Sequence, residues 1–376
     1  MSLNKQSWKK ISVVLPCRNE EETIGVCIDK IKRVLKGRNY EIIVSDSSKD
    51  KSPMIAKKKG AIVVKHDKVG YGNAYLEGFK KITGDVVVIG DADDTYDFLE
   101  IPKLLPYIEK YDFVMGQRKY LKKGSMPLLH KYIGNPLLSF MLRLFFGAKV
   151  KDTHCGFRII RKSALDDLKL RTTGMEFASE MIIKAVKNKL RIKDVPIHYY
   201  PRIGESKLSS FRDGWRHIRF MLLYSPAHLF FLPGAIIFLL GMIGMLLTSS
   251  GTSTILGFNL GIHTLVFSTM LTILGFQLIF LTLFAKVFLF AVLKEKNSFL
   301  EKLTNFLTFE KGIMIGGVVS LLGMVVGLTM IINWISSDLK GFFNPELAIV
   351  ASTITILGVQ LVFNVFYLSI LGIERK

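Results

Sequence analysis

The sequence is short of cysteine, of acid and of any secretory leader. Three cysteines, Cys17, Cys27 and Cys155, in 376 residues, none in a Cys-x-x-Cys pair, argue against a disulfide framework or a structural zinc site. After the basic start MSLNKQSWKK only ISVVLP precedes Cys17-Arg18, too short for a signal-peptide core, so the N-terminal part is expected to stay in the cytoplasm. Acidic residues number 31 against 51 lysines and arginines, a formal charge of +20. That balance suits nucleic acid, a membrane surface or a phosphorylated substrate. Mean hydropathy is nevertheless above zero, and the long apolar runs crowd into the C-terminal part.

Those runs decide among the partners. Four segments, about 226–248, 262–293, 312–335 and 347–371, each reach the ~20 residues a helix needs to cross a bilayer. Arg212, Arg216 and Arg219 precede the first; Lys294, Lys296, Lys302 and Lys311 lie between the second and third; Arg375 and Lys376 follow the fourth. The opposite loops carry only Asp338, Lys340 and Glu346. Positive charge inside therefore places the N-terminal domain and the C-terminus in the cytoplasm. Since much of the +20 flanks spans, nucleic acid is not an expected partner. His263 and Lys286 stand out inside the spans; Lys286 is expected to snorkel or to pair within the bundle.

Two stretches before the spans point to the membrane surface. In residues 208–225, Phe211, Trp215, Ile218 and Leu222 share one helical face, and Arg212, Arg216 and Arg219 another, as in a helix lying in the interface. Residues 127–148 are nearly apolar enough to span, but Lys131, Pro136 and Arg143 interrupt them. An interfacial helix and a surface helix packed on the core are both open there.

From Ile11 to about His198, short apolar runs alternate with helical stretches. Strands are expected at Ile11–Leu15, Glu41–Ser45, Ala61–Lys65 and Asp85–Ile89, with helices near Glu20–Leu35, Lys51–Lys59 and Tyr71–Ile82. Such alternation implies a mostly parallel sheet with helices on both faces. The fourth strand, Val86-Val87-Val88-Ile89, runs straight into Gly90-Asp91-Ala92-Asp93-Asp94. Ligands of open α/β sheets collect at strand ends, and oxygen-only ligands suit a hard ion such as Mg²⁺ or Mn²⁺. An Asp-rich capping turn is the plainer alternative.

Several motifs in order resemble glycosyltransferase family 2, in its polyprenyl-phosphate branch (the dolichyl-phosphate mannose and glucose synthases). Val14-Leu15-Pro16-Cys17-Arg18-Asn19-Glu20-Glu21 is similar to the family's V-P-x-Y-N-E-E, and Ser45-Asp46-Ser47-Ser48-Lys49-Asp50 to its D-D-G-S-x-D. Gly70-Tyr71-Gly72-Asn73-Ala74 followed by Gly78 is similar to G-K-G-x-A-x-x-x-G, and Asp91-Ala92-Asp93 to D-x-D. Gly116-Gln117-Arg118, Asp152 to Arg158, and Arg202 to Lys207 resemble G-S-R, D-x-x-x-G-F-R and R-x-x-G-x-S-K. Arg18, Ser45, Ser47, Tyr71 and Thr95 depart from the usual residues, which leaves the donor sugar open.

The resemblance implies a GT-A type α/β domain over residues 1–207, the juxtamembrane helix 208–225, and four transmembrane helices in 226–376. It implies inverting transfer of one hexose from a nucleotide sugar, UDP-glucose or GDP-mannose, to polyprenyl or dolichyl phosphate, beside the lipid bilayer. Asp93 would be the principal metal ligand, and Asp91 would help hold the metal or the ribose of the donor. Pro16, Arg18, Glu20 and Asp46 would surround base and ribose, with Gly70 and Gly72 bringing backbone close to a phosphate. Arg118, Lys131, Arg202 and Lys207 would hold the acceptor phosphate, and Asp152 would orient sugar or acceptor. A phosphate monoester is already a nucleophile near neutral pH, so the demand is for cations that aim it, not for a base. Glu176 and Glu180 either approach the sugar or serve packing. The rivals are a processive polysaccharide synthase, whose Gln-x-x-Arg-Trp motif is absent, and a non-catalytic lipid-sugar transporter or scaffold.

Overall fold

The computed structural model describes residues 8–204, 210–251, 253–255, 257–293, 308–339 and 344–372. Lys207, the flanking Lys294, Lys296, Lys302, Arg375 and Lys376, and loop residue Lys340 lie outside the described residues. The chain divides into two compact units, Met1–Met221 and Leu222–Lys376, each taken by itself below.

In the first unit the seven-stranded sheet follows from runs of β-branched and apolar residues: β1 (Ile11–Cys17), β2 (Tyr40–Asp46), β3 (Ile62–Lys65), β4 (Val86–Ile89), β5 (Phe113–Leu121), β6 (Arg158–Arg161) and β7 (Ile192–Tyr199). Their spatial order is β3-β2-β1-β4-β6-β5-β7. β4 is buried along its whole length, which its four apolar β-branched side chains require. Pairing is parallel except at β6, which runs antiparallel to both β4 and β5. The expected mostly parallel α/β sheet is therefore correct, with one strand reversed. Strand order turns back between β1 and β4, so the crevice for a ligand opens at the carboxyl ends of those two strands.

Helices cover both faces. α1 (Ile24–Val34) buries Ile24, Cys27, Ile28 and Ile31, a 3–4 spacing that sets one stripe on Val13, Leu15, Val86 and Val88. Each buried isoleucine contributes about 1.5–3 kcal/mol. α2 (Ser52–Lys58) and the short α4 (Ile101–Leu104) flank the same core, while α3 (Tyr71–Phe79) packs across β1 and β2 and touches α7 (Phe177–Lys187). α6 (Lys162–Leu168) follows β6.

The stretch 127–148 becomes a π-helical turn, His130–Gly134, running into α5 (Asn135–Phe146), which a left-handed Gly147 ends. Leu138, Ser139 and Leu142 face inward. Leu129, Ile133, Leu137, Phe140 and Leu144 form an exposed apolar ridge. α8 (Ser210–Tyr224) buries His217, Phe220 and Met221 and leaves Phe211 and Trp215 exposed, Phe211 at 89%.

The second unit holds four helices long and apolar enough to cross a membrane: Ala227–Thr248, Ile262–Leu289, Phe309–Ser336 and Pro345–Leu371. The third buries Gly312, Gly316, Ser320 and Gly323, a small-residue stripe that lets it lie close to the fourth.

Candidate active site

The acid-rich turn after β4 sorts its carboxylates by local geometry. Asp94, in a left-handed conformation (φ 57°), is drawn to Lys30 of α1 at 2.8 Å, and Asp97 lies 3.6 Å from the same amine. Thr23 at the start of α1 donates its hydroxyl to the Ala92 carbonyl at 2.7 Å. These ties from α1 leave Asp91 and Asp93 to the crevice.

Asp91 accepts from the hydroxyls of Tyr71 (3.1 Å) and Tyr75 (3.3 Å), both on α3. Burial, then the neighbouring Asp93 charge, push its pKa up to about 7. Asp93 accepts from the Thr95 hydroxyl at 2.6 Å and from the Thr95 amide at 3.1 Å. Its other oxygen takes a bond from Arg202 at 2.7 Å, while the second arm of the same guanidinium pairs with Glu20. Arg202 thus bridges the loop after β1 and the loop after β4, across the crevice. It reaches there because the end of β7 is sewn to the acidic turn: Tyr96 and Tyr199 form a β-bridge, and the Tyr200 amide donates to the Thr95 carbonyl at 2.9 Å.

Glu20 and Asp93 both pair with Arg202, and burial, reinforced by the Asp93 charge, holds Asp91 above the usual carboxylate range. The donor set fits a hard divalent ion. Among the described residues no three His, Cys, Asp or Glu side chains gather into a metal site, so an ion held here would draw its remaining ligands from water and from substrate phosphates, the usual habit of Mg²⁺.

The donor side is built from two loops stitched together. Ser48 accepts from the Asn19 amide (2.8 Å) and Ser52 from the Glu20 amide (2.9 Å). Asp46 is fully buried, with one oxygen on the Ser48 amide and the other without a partner; a buried acceptor of that kind suits a ligand N–H or hydroxyl. Pro16 on β1 pairs in register with Ser45 on β2, and Arg18 is exposed just beyond the end of β1. A cavity of about 550 Å³ opens beside Glu20, between Asn19, Lys49, Asp50 and Gly204, within the size range of small-molecule sites.

At Gly70 and Gly72, expected to bring backbone close to a phosphate, the close approach in the fold is to Thr172 and Thr173. The Gly72 and Asn73 amides are taken by the Gly174 and Thr173 carbonyls, and a Cβ at Gly70 or Gly72 would stand 2.2 or 2.1 Å from the Thr173 or Thr172 carbonyl oxygen. The glycines exist to let that segment lie on α3. Glu180, fully buried, holds the segment by accepting from the Arg171 and Thr172 amides and the Thr172 hydroxyl, and Glu176 accepts from the Gly174 amide. Both glutamates pack the loop rather than face the crevice.

Arg118, on β5, is locked to Asp152 by two side-chain bonds of 2.8 Å, and its own amide adds a third. Burial opposes the Asp152 charge, but the guanidinium beside it holds the carboxyl below the usual range. Arg118 also stacks over Tyr199, 5.3 Å from the ring centre, and Tyr199 packs on Tyr96. Behind this pair the Gly156 amide donates to the Tyr96 hydroxyl at 2.7 Å, which sets the Asp152–Arg158 segment against Asp91. Lys131 stands on the exposed π-helical turn, its amine over the Tyr132 ring. Cys155 is buried, and burial pushes its thiol up to about 12, so it packs and does not attack.

Tyr75, Lys30 and Thr23 escaped the sequence reading. Only Tyr71 carried a signal, as an aromatic where the motif has lysine, with Tyr75 one helical turn on.

Comparison with known proteins agrees with this architecture. The Glycosyl transferase family 2 profile matches residues 12–169, and the Glycosyltransferase family 2 C-terminal transmembrane region matches residues 283–372. The low-salt glycan biosynthesis hexosyltransferase Agl6 of Haloferax volcanii is 41% identical over 368 residues, covering 96% of this chain and 89% of that protein. A dolichyl-phosphate hexose transferase of the same organism is 35% identical, covering 56% of this chain and 92% of its own. The dolichol-phosphate mannosyltransferase of Pyrococcus furiosus is 32% identical over 53% of this chain and 59% of its own. With its four apolar helices the chain is an integral membrane protein, and it belongs to glycosyltransferase family 2.

Proposed function

We propose that the chain transfers a single hexose, with inversion, from a nucleoside-diphosphate sugar to polyprenyl or dolichyl phosphate at the cytoplasmic face of the cell membrane. UDP-glucose and GDP-mannose are the donors to test first. The observation that carries the reading is the Arg202–Asp93 contact at 2.7 Å. It puts a basic group of the acceptor side against the acid of the donor side, so two phosphorylated substrates would meet at one point. The names of the Haloferax and Pyrococcus relatives support lipid-phosphate transfer.

A divalent ion on Asp91 and Asp93 would offset the charge of the departing diphosphate. The Tyr71 and Tyr75 hydroxyls and the Thr95 hydroxyl and amide fix the two carboxylates in place. Glu20 and the unpartnered oxygen of Asp46 offer acceptors to ribose and base. Arg202 gathers the acceptor phosphate, and Arg118, its plane set by Asp152, supports it through the Tyr199–Tyr96 stack. Because the acceptor brings its own negative oxygen, no side chain has to remove a proton, and Asp152 serves as a clamp on Arg118. The exposed ridge of α5 and the Phe211–Trp215 face of α8 would rest in the bilayer surface, as interfacial helices do. The arginines before the first span favour the cytoplasmic side.

The deciding experiment is radiolabel transfer from a panel of nucleotide sugars to extractable polyprenyl phosphate, with Mg²⁺ or Mn²⁺. Label in the lipid phase from one donor, lost in Asp93→Ala, is the expected result. Label found in a lengthening polymer, or in no lipid at all, would overturn the reading.

A further inference from the structure

A polar chain that the reaction does not use runs through the first unit. The His217 Nδ1 lies 2.8 Å from the Ser179 hydroxyl, which lies 3.3 Å from His154 Nε2. On its other side the His154 Nδ1 is 2.9 Å from the Thr153 hydroxyl, and that is 2.9 Å from the Ser139 hydroxyl. Ser139, Thr153, Ser179 and His217 are all buried. The two imidazole rings sit edge to face, 4.6 Å apart. Burial keeps both rings neutral, His217 being pulled down to about 4.

The ends of this chain are its meaning. Ser139 belongs to α5, on the face opposite its exposed apolar ridge. His217 belongs to α8, on the face turned away from Phe211 and Trp215. Between them, Thr153 adjoins Asp152, the clamp on Arg118, and its carbonyl accepts from the buried Arg158 at 3.2 Å. Packing alone could hold two amphipathic helices with apolar contacts. A run of directional bonds instead fixes where along their axes they are held, because the Thr153 and Ser179 hydroxyls each stand between two partners and each has one proton to donate.

We propose that Ser179, with His154 and His217, is a positioning joint that sets how high the acceptor-phosphate site stands over the bilayer. It locks both membrane-surface helices to the segment carrying Asp152. This rests on the reading of Arg118 and the two helices given above. A slip of α8 or α5 would move the embedded acceptor's phosphate against Arg118 and Arg202 without touching the donor loops, and a misplacement of ~1 Å at a reacting centre costs up to ~100-fold.

The test uses the full chain in vesicles with two acceptors, a long polyprenyl phosphate embedded in the bilayer and the short, water-soluble citronellyl phosphate. Ser179→Ala and His217→Phe are expected to raise KM for the embedded acceptor by about ten-fold or more, leaving donor KM and turnover of the soluble acceptor within about two-fold. His217→Asn, whose amide reaches the place of Nδ1, is expected to restore most of the loss. Equal losses with both acceptors, a raised donor KM, or no change would overturn the proposal. An acceptor-independent reading keeps it separate from the proposed function. In a chain with Trp8→Phe and Trp334→Phe, quenching of Trp215 by brominated lipid reports the depth of α8. Ser179→Ala is expected to shift it, and an unchanged profile would remove the joint even if no prenyl phosphate proved to be a substrate.

Discussion

The Arg202 guanidinium stands 2.7 Å from the Asp93 carboxylate, although 109 positions separate the two in sequence. A side chain expected on the acceptor phosphate is therefore the counter-ion of the carboxylate proposed as principal metal ligand. An ion held by Asp93 would lie beside that guanidinium, so Arg202→Gln is expected to tighten Mn²⁺ binding by about ten-fold, since removing one nearby charge at an effective dielectric near 20 is worth up to a few kcal/mol. The same variant loses transfer to lipid. Mn²⁺ titration followed by electron paramagnetic resonance checks the first part, and weaker binding would show that Arg202 supports the ion instead.

Asp93→Asn keeps the shape and most hydrogen bonds of the side chain but removes its charge. Transfer is expected to fall by at least about 100-fold, with thermal unfolding little changed. Near-normal turnover in the standard assay would remove Asp93 from the site.

Gly72→Ala separates packing from phosphate binding. The added methyl meets the Thr172 carbonyl at 2.1 Å, and forcing that segment off α3 is expected to cost about 1–3 kcal/mol. Thermal melting should show it, with donor KM in the surviving folded protein close to wild type. A normal melt with a raised donor KM would return the glycine to the phosphate.

Acid should loosen the joint at Ser179. The folded-state pKa of His217 is near 4, below its ordinary 6.5, so the unfolded chain binds the proton more readily. Its neutral form stabilises fully above pH ~6.5, and that stability drains away as pH falls toward ~4. The span corresponds to roughly 3 kcal/mol at most. Melting temperature is expected to drop over this window in the wild type and less in His217→Asn; parallel curves would contradict it.

All three cysteines are buried, and burial raises each thiol. N-ethylmaleimide on the folded protein is expected to leave activity unchanged; rapid inactivation would mean that one of them opens to solvent.

How much of this was legible follows from what each feature depends on. The apolar spans and β4 with its trailing acids were readable because they are local: run length and β-branching decide them. The reversal of β6 was not, because alternation of elements carries no strand direction. The Gly70 and Gly72 pattern was read as a phosphate turn, since φ and close approach can be inferred from glycine but the identity of the approaching group cannot. That group, Thr172–Thr173, lies about a hundred positions downstream of the glycines and is held by Glu180. Arg202 is marked by its motif, yet it reaches Asp93 because Tyr199, at the end of β7, is bridged to Tyr96 in the turn after the central strand β4.

The reversed β6 has one more outcome. Residues 122–157, leaving from β5 and returning in β6, form a single excursion, and the strands on either side of it are tied by the antiparallel pairing that runs from Phe113 opposite Ile160 to Met115 opposite Arg158. It contains α5 with its apolar ridge, and Asp152. Neither β1, β2 nor the turn after β4 runs through it. Such an arrangement lets this loop vary in length and sequence without resetting the register of β1, β2 and β4.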